Sequence, residues 1–174
     1  ENTETAKRNG ITDYGLEWLS TKALSFTDVG WEVIVFGHAP IWTGVFEGAL
    51  GRRVEDVAKI LEAFNTGTTY VDTHGLQADI DFPTGNTLIG YFCGHIHMDT
   101  LVKREELSFN MVTEMAVEPS NGSGGIEGVN VFQRESGKIT ENCFDTIIIN
   151  QSPKTVYLRR FGAGLDRSFS YDFD

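Results

Sequence analysis

Two short apolar runs, each followed by a Gly-His pair, constrain the fold of this chain more than any other part of its sequence. Residues 33–36 (Val-Ile-Val-Phe) precede the pair that ends at His38, and residues 89–93 (Ile-Gly-Tyr-Phe-Cys) precede the pair that ends at His95. Short apolar runs bounded by glycine are typical of buried strands. We therefore predict a fold that contains a sheet, with each histidine where a strand gives way to a loop.

Three of the four histidines belong to these motifs: His38 in Gly-His-x-Pro, and His95 and His97 in Gly-His-x-His. Neutral imidazole is a good ligand for zinc, manganese, iron and related ions. Residues two apart on an extended segment point to the same side, so His95 and His97 can face one site, which a histidine from another strand end could complete. Polar residues on a solvated strand edge are the alternative, but the combination of motifs favours a metal site.

The composition restricts the binding partners. The chain has 174 residues, the size of one domain, and its formal net charge is −11. Nucleic acids and anionic membranes bind basic patches, so this charge disfavours both. The sequence also has no apolar stretch that approaches the roughly 20 residues of a membrane span.

The two cysteines, Cys93 and Cys143, lie in or beside strand-like runs and outside any Cys-x-x-Cys motif. Reduced core cysteines are favoured, and a disulfide remains open. The chain begins at Glu1 with neither an initiator Met nor a signal peptide, and it can be a segment of a longer protein. A cytoplasmic location is favoured.

Apolar periodicity predicts two helices. The first starts at Thr12 or Asp13 and runs to about Leu24, and the second carries one apolar stripe over residues 54–64 before Asn-Thr-Gly ends it. Residues 66–88 are predicted to be a loop.

Strands are predicted at residues 100–103 and 109–115, and the Gly- and Ser-rich residues 118–128 are expected to be mobile. Residues 144–150 and 155–160 predict a β-hairpin, after which the tail is expected to turn away. The order of elements indicates an α+β fold, a layered arrangement of mostly antiparallel or mixed sheet with helices on one face.

Taken together, these motifs resemble the second half of a calcineurin-like metallophosphoesterase. The matching features occur in the family's order and span nearly the whole chain: residues 16–19 (Leu-Glu-Trp-Leu), residues 33–40, residues 91–97 and the closing strands at 144–149 and 156–161. The tail, residues 160–167 (Arg-Phe-Gly-Ala-Gly-Leu-Asp-Arg), is similar to endings seen in bacterial and phage-type members.

The resemblance implies an αββα sandwich with two divalent ions (Mn, Fe, Zn or similar) at the strand ends, and hydrolysis of phosphomonoesters or phosphodiesters. It implies that His38 and His95 bind one ion and His97 the other. The family's Asp-x-His, Gly-Asp and Gly-Asn-His motifs are not found in this sequence. Residues 1–174 are therefore expected to be the C-terminal portion of one phosphoesterase domain, with little or no turnover alone and with weak metal occupancy.

Other residues are weaker candidates for the site. Asp99 could orient a ligand histidine, but a loop or cap role is favoured. His74 could reach substrate over the metals, although an exposed loop position is favoured, and Trp42 could line a substrate pocket or pack under a loop. Three arginines could meet a phosphate, although ion pairing on the surface is favoured: Arg159, Arg160 and Arg167.

Two functions compete with the phosphoesterase hypothesis. The chain could be a non-catalytic half-domain that binds a partner or scaffold, or a small protein that carries a metal on its histidines. Half of a two-sheet sandwich would also leave an apolar sheet face uncovered. We therefore expect a homodimer through that face, or coverage of the face by the chain's own loops.

Overall fold

The structure is a computed structural model that describes residues 10–41, 53–75, 78–95, 99–103, 107–113 and 135–172. It is a mixed α+β fold, as predicted. The chain forms two compact units: Glu1–Val33 with Ala39–Leu88, and Ile34–His38 with Ile89–Asp174. In the described part of the chain, no helix has both the length and the apolar character needed to cross a membrane.

The first helix begins at its predicted cap. Helix α1 (Asp13–Trp18) starts after Thr12, whose side-chain oxygen accepts a hydrogen bond from the Gly15 N–H at 3.1 Å. Such a cap satisfies one of the free N–H groups at a helix start. The predicted helix continues only as a π-helical turn (Leu19–Ala23). The prediction was right about its extent and wrong about how its second half is wound.

Helix α2 (Val54–Thr66) ends at Gly67, which has a left-handed backbone (φ 64°) that glycine adopts without strain. Most of its predicted apolar stripe is buried: Val54, Val57, Leu61 and Phe64. The prediction of a loop over residues 66–88 was wrong in part. Strands β2 (Thr69–Tyr70) and β3 (Ile80–Asp81) form a short antiparallel pair there, too short to give a periodic sequence signal.

A mixed four-stranded sheet carries both histidine motifs. Its strands are β1 (Glu32–Phe36), β4 (Thr87–Cys93), β5 (Thr100–Lys103) and β6 (Asn110–Thr113), in the order β1-β4-β6-β5. Strands β4 and β6 are parallel, whereas β5 and β6 are antiparallel. The predicted buried run at β4 is confirmed, but β1 is only half-buried and Phe36 is 68% exposed. Strand β1 is more exposed than predicted because it is an outer strand of the described sheet.

A second, antiparallel sheet contains β7 (Cys143–Asn150), β8 (Thr155–Gly162) and β9 (Arg167–Ser170), in that order. The hairpin of β7 and β8 was predicted. The tail, however, does not turn away: it reverses through two glycines with positive φ, Gly162 (87°) and Gly164 (116°), and returns as β9. Left-handed backbone favours glycine, so the paired glycines were the sequence signal for this turn.

One hydrophobic core joins side chains of both sheets within the second unit. Buried residues of β4 and β6 meet buried residues of β8, β9 and the segment after β9: Ile89, Phe92, Val112, Val156, Leu158, Phe169 and Tyr171. Cys93 and Cys143 are both buried and are not joined in a disulfide, as favoured for core cysteines.

The outer face of the second sheet carries exposed apolar side chains. Phe144 (57% exposed) pairs across the strands with Phe161 (45% exposed), and their rings stack at 4.9 Å between centroids. Ile148 lies on the same face, because residues two apart on a strand share a side. This face therefore has several exposed apolar side chains, and both the truncated sandwich and dimerisation through an uncovered face remain predictions.

Alanine at Gly162 is expected to destabilise the chain more than alanine at Gly137. Both glycines have positive φ (87° and 75°), but a Cβ at Gly162 would lie 1.8 Å from the Asn142 carbonyl oxygen, and one at Gly137 would meet nothing within 4 Å. The left-handed backbone should cost about 1–2 kcal/mol at both positions. Overpacking should add about 1–3 kcal/mol at Gly162 alone. Urea unfolding measures the difference, and equal losses would contradict the close approach.

Candidate metal centre

The imidazole rings of His38 and His95 lie against one another. His95 Nδ1 is 3.0 Å from His38 Nε2, the ring centroids are 4.9 Å apart, and the planes meet at 72°. His38 is exposed and His95 half-buried, so solvent reaches the pair. The structure thus brings together two of the three predicted ligands, from positions far apart in the sequence.

Parallel strands bring the two rings to one edge of the sheet. The Gly37 N–H donates to the Phe92 carbonyl oxygen at 2.9 Å, and the Gly94 N–H then donates to the His38 carbonyl oxygen at 3.0 Å. Because these bonds advance along both chains in the same direction, β1 and β4 end side by side. Each histidine lies two residues beyond its strand, so both lie at the same edge of the sheet.

Gly37 lets the first motif lie close to β4. A Cβ at this position would lie 1.9 Å from the Tyr91 hydroxyl oxygen and 2.6 Å from Tyr91 Cζ. Only glycine permits such an approach, so the requirement for glycine before His38 is steric. Burial raises the pKa of the Tyr91 phenol, with a smaller contribution from Cys93, so the hydroxyl stays protonated.

His95 adopts a left-handed backbone conformation, with φ of 69°. The extended geometry that was predicted for the Gly-His-x-His motif is therefore wrong at this residue, since β4 ends at Cys93. His95 reaches His38 through a turn in the chain, not through alternation along a strand. His97 lies outside the described residues.

Glycine at His95 is expected to give a more stable chain than alanine, by about 1 kcal/mol. A left-handed residue with a Cβ costs roughly 1–2 kcal/mol, and the greater freedom of glycine in the unfolded chain offsets part of that gain. Both variants lack the ring, so their difference isolates the backbone. Denaturant unfolding measures it, and an alanine variant as stable as the glycine variant would show that the backbone has relaxed.

The separation of the two ring nitrogens fits a shared ion. Nitrogens that bind zinc at about 2.0–2.1 Å, with an angle of about 90–110° between them, lie roughly 2.8–3.4 Å apart. The observed 3.0 Å falls in that range, and it equally suits a hydrogen bond between two neutral rings. Among the described residues, no cluster combines three or more His, Cys, Asp or Glu side chains in a metal-binding arrangement.

Asp99 is part of a buried ionic cluster with Asp145, Arg160 and Arg167. Arg160 Nη2 donates to Asp99 Oδ1 at 2.9 Å, and its Nε donates to Asp145 Oδ1 at 2.5 Å. Arg167 donates to Asp145 and places its Nη2 3.7 Å from Asp99 Oδ1. The favoured loop or cap role for Asp99 was therefore incomplete: its carboxylate, 5% exposed, is bound by two arginines.

The three tail arginines all form ion pairs, as favoured, but these pairs differ in burial. Arg159 pairs with Asp166 at 2.6 Å on the surface. The Arg160 side chain is only 2% exposed, so the expectation of a surface pair is wrong for this residue. Burial by itself would lower the pKa of Arg160, but hydrogen bonds and charges of Asp145 and Asp99 outweigh it and raise that pKa above its ordinary value.

His74 belongs to a polar cluster in the first unit. Arg53, which has φ of 60°, binds three carboxylates: Asp13 at 2.6 Å, Asp56 at 2.8 Å and Asp72 at 2.8 Å. The His74 N–H donates to Asp72 Oδ1 at 3.0 Å, and its half-exposed ring lies 3.5 Å from Asp56 Oδ2. The favoured prediction of an exposed loop position for His74 therefore holds. Trp42 lies outside the described residues.

Sequence reasoning missed both ionic clusters. The four members of the second-unit cluster are spread from Asp99 to Arg167, and no local spacing links them. Their available signal was the tail itself, in which two arginines flank a pair of glycines.

Comparisons with models of protein families, with curated proteins and with solved structures each give no match to this chain.

Proposed function

We propose that this chain is the C-terminal portion of a metal-dependent phosphoesterase with an αββα fold. The observation that carries the proposal is the 3.0 Å approach of His38 Nε2 to His95 Nδ1 at the ends of adjacent strands. The core shared by two sheets supports it, because it is the arrangement expected inside a sandwich.

His38 and His95 are the residues of this chain that would hold one ion, and His97 is proposed for a second. When bound, two divalent ions provide an activated nucleophile and neutralise charge on a phosphoryl group. The chain's own contribution is to fix the donors: Gly37 sets the approach of the His38 backbone to Tyr91, and the turn at His95 aims the second ring. The carboxylates of such a site are proposed to come from outside this chain.

Titration of the chain with Co²⁺ tests the proposal. Cobalt is a spectroscopic substitute for zinc, and imidazole ligands give it visible absorption bands. We expect close to one equivalent to bind, with lower affinity at acid pH because a ligand imidazole must be neutral. If Co²⁺, Mn²⁺ and Zn²⁺ show no saturable binding even at millimolar concentration, the rings are only hydrogen-bonded and the proposal is wrong.

The phosphoesterase activity itself is tested with the complete reading frame. We expect that protein, loaded with Mn²⁺, to hydrolyse bis(p-nitrophenyl) phosphate, and the 174-residue chain alone to show little or no turnover. Full activity of the short chain would contradict the division of the site proposed here.

A non-catalytic binding module is the second candidate, and the exposed pair Phe144 and Phe161 favours it. Exposed apolar patches commonly mark interaction surfaces. A module of this kind would bind no metal. The Co²⁺ titration therefore separates the two candidates, and light scattering of the same sample reports whether the face forms a homodimer.

A further inference from the structure

The phenol of Tyr91 fills the space beside the α-carbon of Gly37. The three atoms nearest to a Cβ at Gly37 would all belong to Tyr91: the hydroxyl oxygen at 1.9 Å, Cζ at 2.6 Å and Cε2 at 3.1 Å. Real Cβ atoms do not approach other heavy atoms within 3.0 Å, so two of these contacts exclude any side chain. A single buried ring therefore supports the backbone directly before His38.

The backbone of β4 holds the same segment from another direction. The Gly37 N–H donates to the Phe92 carbonyl oxygen at 2.9 Å, and the Gly94 N–H donates to the His38 carbonyl oxygen at 3.0 Å. Such bonds lie in the plane of a sheet, whereas side chains stand roughly perpendicular to it. The hydrogen bonds thus fix the register of His38 against β4, and the Tyr91 ring limits how far the segment can tilt.

Tyr91 is itself held firmly. It lies within β4, where it pairs with Met111 of β6, and the two residues are 5% and 2% exposed. Side chains in a close-packed interior occupy well-defined positions. The ring is therefore a fixed support for Gly37 and does not adapt easily to a change there.

His38 is the residue that needs such support. It is exposed, so its ring is not enclosed by packed side chains, and its position depends on the backbone that carries it. Its Nε2 nonetheless lies 3.0 Å from His95 Nδ1. Binding groups must be held within about 0.5 Å of their productive geometry. A small tilt of the Gly37 backbone would exceed that tolerance at the end of the imidazole.

We propose that Tyr91 is a positioning residue for the metal centre. Its phenol supports Gly37 from one face of the sheet, so that His38 leaves β1 with its ring directed at His95. If the phenol only filled the core, its removal would lower stability without moving the rings. The effect on metal binding rests on the proposed function, whereas the effect on the ring contact does not.

Tyr171 provides a matched control. It is 1% exposed and belongs to the core shared by the two sheets. Its N–H donates to the Lys154 carbonyl oxygen at 3.0 Å, beside the turn that joins β7 and β8. Tyr91→Leu and Tyr171→Leu remove the same atoms from two buried positions of one unit, but only the first removes the support of Gly37.

The first test compares the two leucine variants in the 174-residue chain. Groups that orient metal ligands typically change metal affinity by about 10–100-fold. We expect Tyr91→Leu to weaken Co²⁺ binding by at least about tenfold, and Tyr171→Leu to weaken it by much less at a similar loss of stability. Nuclear Overhauser contacts between the rings of His38 and His95, measured without metal, should be lost only in Tyr91→Leu.

The second test places Gly37→Ala in two backgrounds. In the wild type the new methyl group would collide with the phenol, so we expect a loss of affinity of at least about tenfold and loss of the ring contact. In Tyr91→Leu the methyl group would face vacated space and should cause little further loss. Residues in contact show such non-additivity, whereas independent sites do not.

Each outcome decides the matter. Equal effects of the two leucine variants on affinity and ring contact, no effect of Tyr91→Leu, or equal losses from Gly37→Ala in both backgrounds would overturn the proposal. If wild type binds no Co²⁺, the proposed function fails, and the ring contact alone decides for or against the role of Tyr91. Should Tyr91→Leu not fold, Tyr91→Phe serves as the second background, because it lacks the hydroxyl oxygen that lies closest to Gly37.

Discussion

Alanine at His38 or at His95 is expected to weaken metal binding by more than about 100-fold, because removing groups that merely orient a ligand already costs about 10–100-fold. Each substitution removes a donor nitrogen itself. In the phosphoesterase proposed above, we expect kcat/KM to fall by at least as much as the affinity, since its ions would supply the activated nucleophile. Competition against a chromophoric chelator measures the affinity, and hydrolysis of bis(p-nitrophenyl) phosphate measures the activity.

The control for this prediction is the same substitution at His74. That ring is half-exposed and interacts with the cluster around Arg53 in the first unit. His74→Ala should leave both the affinity and the activity unchanged. The proposed centre would be contradicted if all three alanine variants lost metal equally, or if neither His38→Ala nor His95→Ala lost any.

Methionine at Arg160 is expected to lower the free energy of unfolding by about 3–5 kcal/mol, the usual cost of removing one partner of a buried ion pair. Arg160 is 2% exposed and binds both Asp99 and Asp145, which are also buried. Without it, Arg167 faces two carboxylates and the cluster carries an uncompensated negative charge. Since domains are typically stable by only about 5–15 kcal/mol, this loss should be easily measured by denaturant unfolding.

The neighbouring residue supplies the control, because Arg159 pairs with Asp166 on the surface at 2.6 Å. The Arg159 guanidinium and the Arg160 backbone N–H hold the pKa of Asp166 below its ordinary value, yet that carboxylate is half-exposed. Arg159→Met is therefore expected to change the unfolding midpoint little, since solvent screens such pairs. Similar losses at the two adjacent positions would mean that burial does not determine the cost.

The elements that sequence analysis located correctly are those with a strong local signal. Helix α2 has an apolar stripe with a glycine at its end, and β7 and β8 are apolar runs joined by a short polar turn. The strand β9 was missed because it has only four residues, and its pairing with β8 depends on the turn through Gly162 and Gly164. Short elements of this kind are specified by their partners more than by their own periodicity.

The sequence likewise predicted some features of the candidate site and missed others. A histidine directly after an apolar run must lie at a strand end, and that much follows from residues 33–38 and 89–95. The sequence does not determine whether the two strands are neighbours, because strand order depends on contacts between distant segments. It also gave the wrong backbone for His95, since an extended geometry was assumed where the chain turns.

By itself, the sequence determined the helices, the hairpin, the ends of the histidine-bearing strands and a fold of the α+β class, because periodicity and turn chemistry act over a few residues. The tertiary structure alone decided that His38 meets His95, and that Asp99 is held by Arg160 and Arg167. For Asp99 the physical reason is that a buried charge must find a partner of opposite sign. That partner comes from a distant part of the chain, and only folding brings the two together.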